Sequence, residues 1–284
     1  MPLAATPRPC TLRAMSIRGS CALSVVVPTR NEAPNVAVLT ARLSTALGGL
    51  AGGWELLFVD DSDDNTPDVV RSLALPGGAQ VRLLHRQKGS RPGGLGGALQ
   101  EGFAISRGRV VAVMDADLQH PPEILPSVVA PALSGSADLV AGSRYGPTGR
   151  NEGLDGRWRR LVSHGARGLA YCLVPATRRL EDPGSGLFAF QRAVLDGVRL
   201  RPDGYKMLME VAARGHWRTV ANVNYTFAER YAGNSNAGLR QGLVFLRHLA
   251  RLAVLSWSRG RGRNVRGSAP DRLHLQAEDA AHQF

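Results

Sequence analysis

Residues 110–123, VVAVMDADLQHPPE, decide the fold. Val110 to Met114 is an unbroken apolar run of strand length, and Asp115-Ala116-Asp117 follows it with no linker. The spacing predicts a buried strand with two carboxylates at its carboxyl end. In an open α/β sheet that edge is where ligands bind. Two carboxylates at i and i+2 around the small Ala116 suit one hard divalent cation, Mg²⁺ or Mn²⁺, and a cation held there suits a diphosphate. A solvated loop has the same composition, so the neighbouring segments must decide between the two.

The segments on either side alternate in period. Leu23–Val27, Trp54–Val59, Val81–Leu84 and Leu139–Ala141 read as strands. Asn35–Leu47, Thr66–Leu75, Gly94–Ser106 and Pro122–Leu133 read as helices, the last with proline near its start. This order predicts an α/β fold with a mostly parallel central sheet and helices on both faces. The first three strands each end in polar residues: Pro28-Thr29-Arg30-Asn31-Glu32, Asp60-Asp61-Ser62-Asp63-Asp64-Asn65 and His85-Arg86-Gln87-Lys88. With Asp115 and Asp117 after the fourth, polar chemistry collects on one sheet edge and favours a nucleotide-type site. Asp61 and Glu32 at strand tips are suited to accept hydrogen bonds from a nucleobase or ribose. The run GSRPGGLGGALQEGF, with Gly94 and Gly96, offers backbone N–H groups at a helix start. It matches neither the dinucleotide fingerprint nor the P-loop, which disfavours a Rossmann dehydrogenase.

The 284 residues carry 44% hydrophobic side chains, enough for one large domain. Most of the net charge of +12 sits at the ends. Three arginines precede residue 23, seven lie between 240 and 267 with no acid, and residues 268–284 carry −2, which leaves +4 for 23–239. That distribution favours an anionic surface as partner over nucleic acid. Cys10, Cys21 and Cys172 form no disulfide framework and point to a reducing compartment. The N-terminus lacks the apolar core of a signal peptide, and no stretch of 18 uncharged apolar residues exists.

Taken together, VVVPTRNEAPNV, LLFVDDSDDNT, RPGGLGGALQEGF, VVAVMDADLQHPPE, LVAGSRY, EDPGSGLFAF, RPDGYKMLMEV and FAERYAGNS resemble the family 2 glycosyltransferases of the GT-A fold. More narrowly they resemble the polyprenol and dolichol phosphate mannose synthases, over roughly residues 23 to 245. The resemblance implies transfer of a hexose, with inversion, from a nucleotide diphosphate to a lipid phosphate. GDP-mannose is the leading donor and polyprenyl phosphate the acceptor, with UDP-glucose or another hexose donor as the close competitor. It implies Pro28, Arg30, Glu32, Val59 and Asp61 around the nucleoside. It implies Asp115 and Asp117 at the metal and sugar diphosphate, with Ala116 between them and Gln119 as a further oxygen ligand. Arg144 would contact phosphate, Arg230 and Ser235 would close over the diphosphate, and Lys206 and Glu210 fall in the matching helix. Asp182 and Ser185 read either as acceptor-site residues or as a turn. A phosphate acceptor is already anionic, so no strong general base is expected.

Three positions depart from the family pattern. Arg30 replaces an aromatic residue near the base, Asn236 replaces a lysine, and Ser163-His164-Gly165 replaces Ser-Arg-Gly, with Arg159 close enough in sequence to substitute. They suggest a divergent member. His120 reads as a neighbour of the ligands rather than a third ligand, and Asp63 and Asp64 as solvated or helix-capping residues. The chain divides into a disordered extension (1–22), a catalytic domain (23–239), an amphipathic helix (240–258) and a basic, disordered tail (259–284). The helix either packs on the domain or lies in a headgroup layer with Arg240, Arg247 and Arg251 towards lipid phosphate. Residues 240–266 are the expected peripheral contact on the cytoplasmic face of a membrane, with a separate membrane subunit as a further partner. The competing classes are a soluble small-molecule glycosyltransferase, a decayed binding protein and an arginine-tail nucleic-acid binder, the last two disfavoured.

Overall fold

Every strand and helix expected between residues 23 and 141 is present in the computed structural model. It describes residues 21–77, 79–145, 150–151, 157–201, 205–229, 231, 239–260 and 272–275. The chain runs β1 (Cys21–Thr29), α1 (Ala33–Leu47), β2 (Trp54–Asp60), α2 (Thr66–Ser72), β3 (Gln80–His85), α3 (Gly94–Ile105), β4 (Gly108–Val113), α4 (Leu125–Leu133) and β5 (Leu139–Ser143). It continues through β6 (Arg150–Asn151), α5 (Arg157–Leu173), β7 (Phe188–Gln191), α6 (Met207–Arg214), β8 (Val220–Asn224), β9 (Thr226–Phe227), α7 (Leu239–Gly260) and β10 (Arg272–Leu275). Single-turn 3₁₀ helices at Pro122–Ile124, Pro175–Arg179 and Arg192–Leu195 join some of these.

Eight strands form one sheet in the order β10-β8-β5-β7-β4-β1-β2-β3. All neighbours are parallel except β7, which lies antiparallel between β4 and β5. Helices cover both faces, so β2 (WELLFVD) is buried at every residue and reads as continuous rather than alternating hydrophobicity. Helix α1 carries its buried face at Val36, Leu39, Leu43 and Leu47, and these pack with Val25, Val27, Leu56 and Phe58 on one side of the sheet. On the other side, α3 and α6 contribute Ala98, Leu99, Leu208 and Val211 to a second core with Val26, Leu57 and Val111.

Two boundaries differ from expectation. Cys21 and Ala22 belong to β1 rather than to an extension, because the Ala22 N–H bonds the carbonyls of Gly52 and Gly53 and Cys21 pairs in register with Gly108. The tail is not wholly irregular either, since Arg272–Leu275 add a parallel strand to Val220–Val223. Helix α7 packs on the domain, with Phe245, Leu249 and Leu252 against Ala170, Val174 and Met209. Its opposite face leaves Leu243, Val254 and Trp257 each 70% exposed.

Candidate active site

Parallel strands deliver their carboxyl ends to one edge, and the residues singled out after β1, β2 and β4 lie along it. A hollow lined by Cys21, Trp54, Glu55, Gln80 and Arg107 lies at the other edge, where these strands begin, and holds none of them. At the tip of β2, Asp61 is 7% exposed, and both its oxygens are taken by Arg86, through Nε at 2.7 Å and Nη2 at 2.6 Å. Arg86 also donates to Glu101 and to the carbonyls of Pro92 and Gly94. One buried guanidinium therefore fixes the Asp61 carboxylate and the glycine-rich turn together. Burial opposes its charge, but Asp61 and Glu101 hold its pKa above the ordinary arginine value. The sequence placed Arg86 in a polar cluster and assigned it no role.

The first turn of α3 packs so closely on the preceding turn that it needs glycine at 97. A Cβ on Gly97 would stand 1.9 Å from the Pro92 carbonyl oxygen. Arg91 closes the turn from outside, donating to the carbonyls of Arg86 and Ser62 and to Asp63 at 3.0 Å. Asp63 is thus ion-paired rather than merely solvated. Asp64 accepts from the N–H and hydroxyl of Thr66, the first residue of α2, while the N-cap position itself is Asn65. Pro28 is buried, Glu32 is half-buried and accepts from Asn35 at 2.5 Å, and Arg30 is exposed. Val59 and Ala116 are 0% and 3% exposed, and their side chains lie in the two cores. Gly94 is exposed at the start of α3, whereas Gly96 is buried.

At the end of β4 the backbone turns sharply. Leu118 has φ +61°, a left-handed conformation that costs roughly 1–2 kcal/mol for a residue with a Cβ, and its side chain is anchored in the core. The turn brings His120 back to Asp115, with Nε2 3.3 Å from Oδ2. Asp117 is 7% exposed and accepts the Gln119 N–H at 3.1 Å. The Gln119 side chain donates to the Ala228 carbonyl at 3.4 Å. Two backbone bonds, from Ala228 N–H to Gln119 O and from Tyr231 N–H to Asp117 O, lay the segment after β9 against this turn. Arg230, Ser235 and Asn236 fall outside the described residues, as do the side chains of Arg159 and His164.

Strand β7 runs the other way, so its beginning, not its end, reaches this edge. Its register pairs Val113 with Phe188, and continuing it sets Gly186 opposite Asp115. A Cβ on Gly186 would stand 2.3 Å from Asp115 Oδ2, so any side chain there forces the Asp115 carboxylate to move. Beyond β5, Arg144 donates to both oxygens of Asp182, at 2.6 Å and 3.2 Å, and its guanidinium lies 5.0 Å from the Phe227 ring centroid. Asp182 is 2% exposed and faces Arg144, which makes it that arginine's anchor. Ser185 is equally buried and caps its own turn at Leu187. Lys206 donates to the Gly184 carbonyl at 2.7 Å. Burial, and then Arg144, push the Lys206 ammonium below its ordinary pKa against the pull of Asp182 and Asp115. Burial disfavours the charged form of Asp115 as well. The hydrogen bond from His120 and the nearby charges of Lys206 and Arg144 nonetheless hold its carboxyl below the usual range. Asp115 thus keeps its acidic character under the positive field of two half-buried cations.

The family model for glycosyl transferase family 2 matches residues 24–192, the stretch that holds β1 to β7. The chain belongs to glycosyl transferase family 2. It is 38% identical to the dolichol-phosphate mannosyltransferase of Pyrococcus furiosus over 81% of its own length and 63% of that protein, just under two thirds of the relative. It is 33% identical to the dolichol-phosphate mannosyltransferase of Mycosarcoma maydis, over 82% of this chain and 78% of the other. Among solved structures, glucosyl-3-phosphoglycerate synthase from Mycobacterium tuberculosis, crystallised with Mn²⁺, UDP and glucosyl-3-phosphoglycerate, superposes with a TM-score of 0.61 at 24% identity. That match covers 89% of this chain and 87% of that one. The fold is therefore GT-A, as the sequence resemblance implied.

Proposed function

We propose that this family 2 enzyme moves mannose from GDP-mannose onto a polyprenyl or dolichyl phosphate, with inversion, at the cytoplasmic surface of a membrane. The observation that carries the reading is the Asp115-Ala116-Asp117 turn that follows β4, on the same sheet edge as Arg144, fixed by Asp182, and Lys206, bonded to the Gly184 carbonyl. Such a site receives two phosphate-bearing ligands. The names of the relatives at 33–38% identity supply the sugar and the acceptor class.

Asp115 and Asp117 are hard oxygen donors, and the Asp115 side chain is 42% exposed towards the site. Among the described residues no three His, Cys, Asp or Glu side chains gather into a closed metal cage. This donor set fits Mg²⁺ or Mn²⁺ shared with a substrate diphosphate, Gln119 being the nearest further oxygen in sequence. When bound, such a cation neutralises charge on the leaving diphosphate. Arg144, rigid on Asp182, and Lys206 draw the acceptor phosphate to the anomeric carbon, and an oxygen of that phosphate attacks as the bond to the diphosphate breaks. Asp61 and Glu32 face the nucleoside, with Pro28 and Arg30 beside it and the N–H groups at Gly94 towards the phosphates. Arg230 and Ser235, from the segment that follows β9, complete the diphosphate side.

Among the described residues no helix is long and apolar enough to cross a membrane. The catalytic unit ends near residue 239, and residues 240–266 form the peripheral contact, through the exposed Leu243, Leu246, Val254 and Trp257 of α7 with Arg247 and Arg251 beside them. An apolar strip bordered by arginines suits an anionic bilayer surface. The test is transfer of labelled sugar to polyprenyl phosphate with Mg²⁺ or Mn²⁺, comparing GDP-mannose with UDP-glucose. Lipid-extractable label from GDP-mannose, lowered at least about a hundredfold by Asp117→Ala, is the expected result. Label from UDP-glucose alone reassigns the donor, and label only in the water phase reassigns the acceptor.

A further inference from the structure

A buried pair that the sugar-transfer reading leaves unused stands behind Asp115. The Tyr225 hydroxyl, in a side chain only 4% exposed, lies 2.7 Å from His120 Nδ1. His120 is 2% exposed, and its Nε2 lies 3.3 Å from Asp115 Oδ2. Its ring is wedged between Tyr225 and Phe227, with centroids 5.4 Å and 5.3 Å away. An ionised carboxylate only accepts, so Nε2 carries the hydrogen that points to Asp115, and in the neutral imidazole Nδ1 accepts from the tyrosine O–H. The tyrosine thereby selects which imidazole nitrogen faces the site. A side chain at Gly186 would crowd the same Oδ2, so the glycine leaves the carboxylate room beside the imidazole.

We propose that His120 and Tyr225 are positioning residues that hold the Asp115 carboxylate ready for the metal-bound diphosphate of the donor. The proposal rests on the reading of Asp115 as a ligand in sugar transfer. Neither residue touches substrate. Partners behind a metal-ligating group typically change metal affinity 10- to 100-fold when removed. Chain order supports a built arrangement, because His120 reaches Asp115 only through the left-handed turn at Leu118, and Tyr225 comes from the link between β8 and β9, more than 100 residues later.

The experiment is titration of Mn²⁺ with GDP and, separately, with UDP, followed by the electron paramagnetic resonance of free Mn²⁺. It compares wild type, Tyr225→Phe, His120→Gln and His120→Ala, with melting temperatures recorded alongside. Tyr225→Phe deletes one oxygen and keeps the ring, so it tests the relay where His120→Ala fails to fold. Expected is about tenfold weaker Mn²⁺–nucleotide binding in Tyr225→Phe and His120→Ala, with recovery in His120→Gln, whose amide keeps a donor near the Nε2 position. In the transfer assay the same variants lower kcat and leave the KM for the lipid acceptor unchanged. Wild type that binds Mn²⁺ with one nucleotide, matched by an equally tight Tyr225→Phe, overturns the positioning role alone. Wild type that binds Mn²⁺ with neither nucleotide overturns the reading of the site and the positioning role with it.

Discussion

Asp115 meets neighbours from separated stretches of chain: His120 after the turn, Arg144 after β5, Gly186 before β7 and Lys206 before α6. Only the first lies near it in sequence. That is why Asp115, Asp117, Arg144 and Lys206 were legible as residue types in motifs while the contacts among them were not. Arg86 was illegible for another reason. It ends a strand in a run of polar residues, and nothing local marks it as the one whose guanidinium turns inward. Gly186 is the sharpest case. Alone in sequence it reads as a turn glycine, yet its hydrogen touches a carboxylate. Gly186→Ala is expected to displace the Asp115 side chain and lower transfer at least about tenfold, at a stability cost of roughly 1–3 kcal/mol for the forced fit. Kinetics beside a melting curve separate the two effects. Arg86→Ala leaves Asp61 and Glu101 without their partner. Loss of one side of a buried pair costs about 3–5 kcal/mol, a difference that urea unfolding measures directly.

The elements were the most readable level, because the sheet is buried on both faces and its strands announce themselves as apolar runs. Boundaries moved by one or two residues where pairing, not composition, set the end. Cys21 and Ala22 were placed outside the domain, for example, although β4 and the Gly52–Gly53 turn recruit them. The role of α7 was open between packing and lipid contact, and the structure shows one face packed on the domain and the other exposed. Phe245, His248, Leu249 and Leu252 face inward, and His248 reaches Glu210 of α6 at 3.2 Å. Leu243, Leu246, Val254 and Trp257 face outward within about 80° of one another on the helical wheel. The two faces make opposite predictions. Phe245→Ala removes core contact and is expected to cost about 3–5 kcal/mol. The double change Leu243→Ser, Trp257→Ser is expected to leave the melting temperature unmoved while lowering co-sedimentation with anionic vesicles. Retained sedimentation of that double variant would remove α7 from the membrane contact.

At the scale of the whole molecule, carboxylates set the acid limit of stability. Burial disfavours the ionised Glu210, but His248, the Arg201 N–H and Arg214 together hold its pKa below the ordinary 4.5. Arg42 does the same for Glu123 at the surface. A carboxyl whose folded pKa is lowered binds fewer protons folded than unfolded. Its contribution is therefore complete above the unfolded value and is lost as pH falls through the folded one. Melting temperature is expected to hold from pH 7 to pH 5 and to drop below about 4.5, with a shallower drop in Glu210→Gln. The sheet order has a consequence for synthesis on the ribosome. Strand β7 fills the gap between β4 and β5 but is made after both, so a growing chain that has emerged only as far as β5 carries two open edges facing an empty slot. Until residues 186–191 arrive, those edges are templates for any extended peptide nearby. A chaperone that guards half-made chains has its clearest task in that interval, and a message truncated before codon 186 encodes a product bound for aggregation rather than a smaller enzyme.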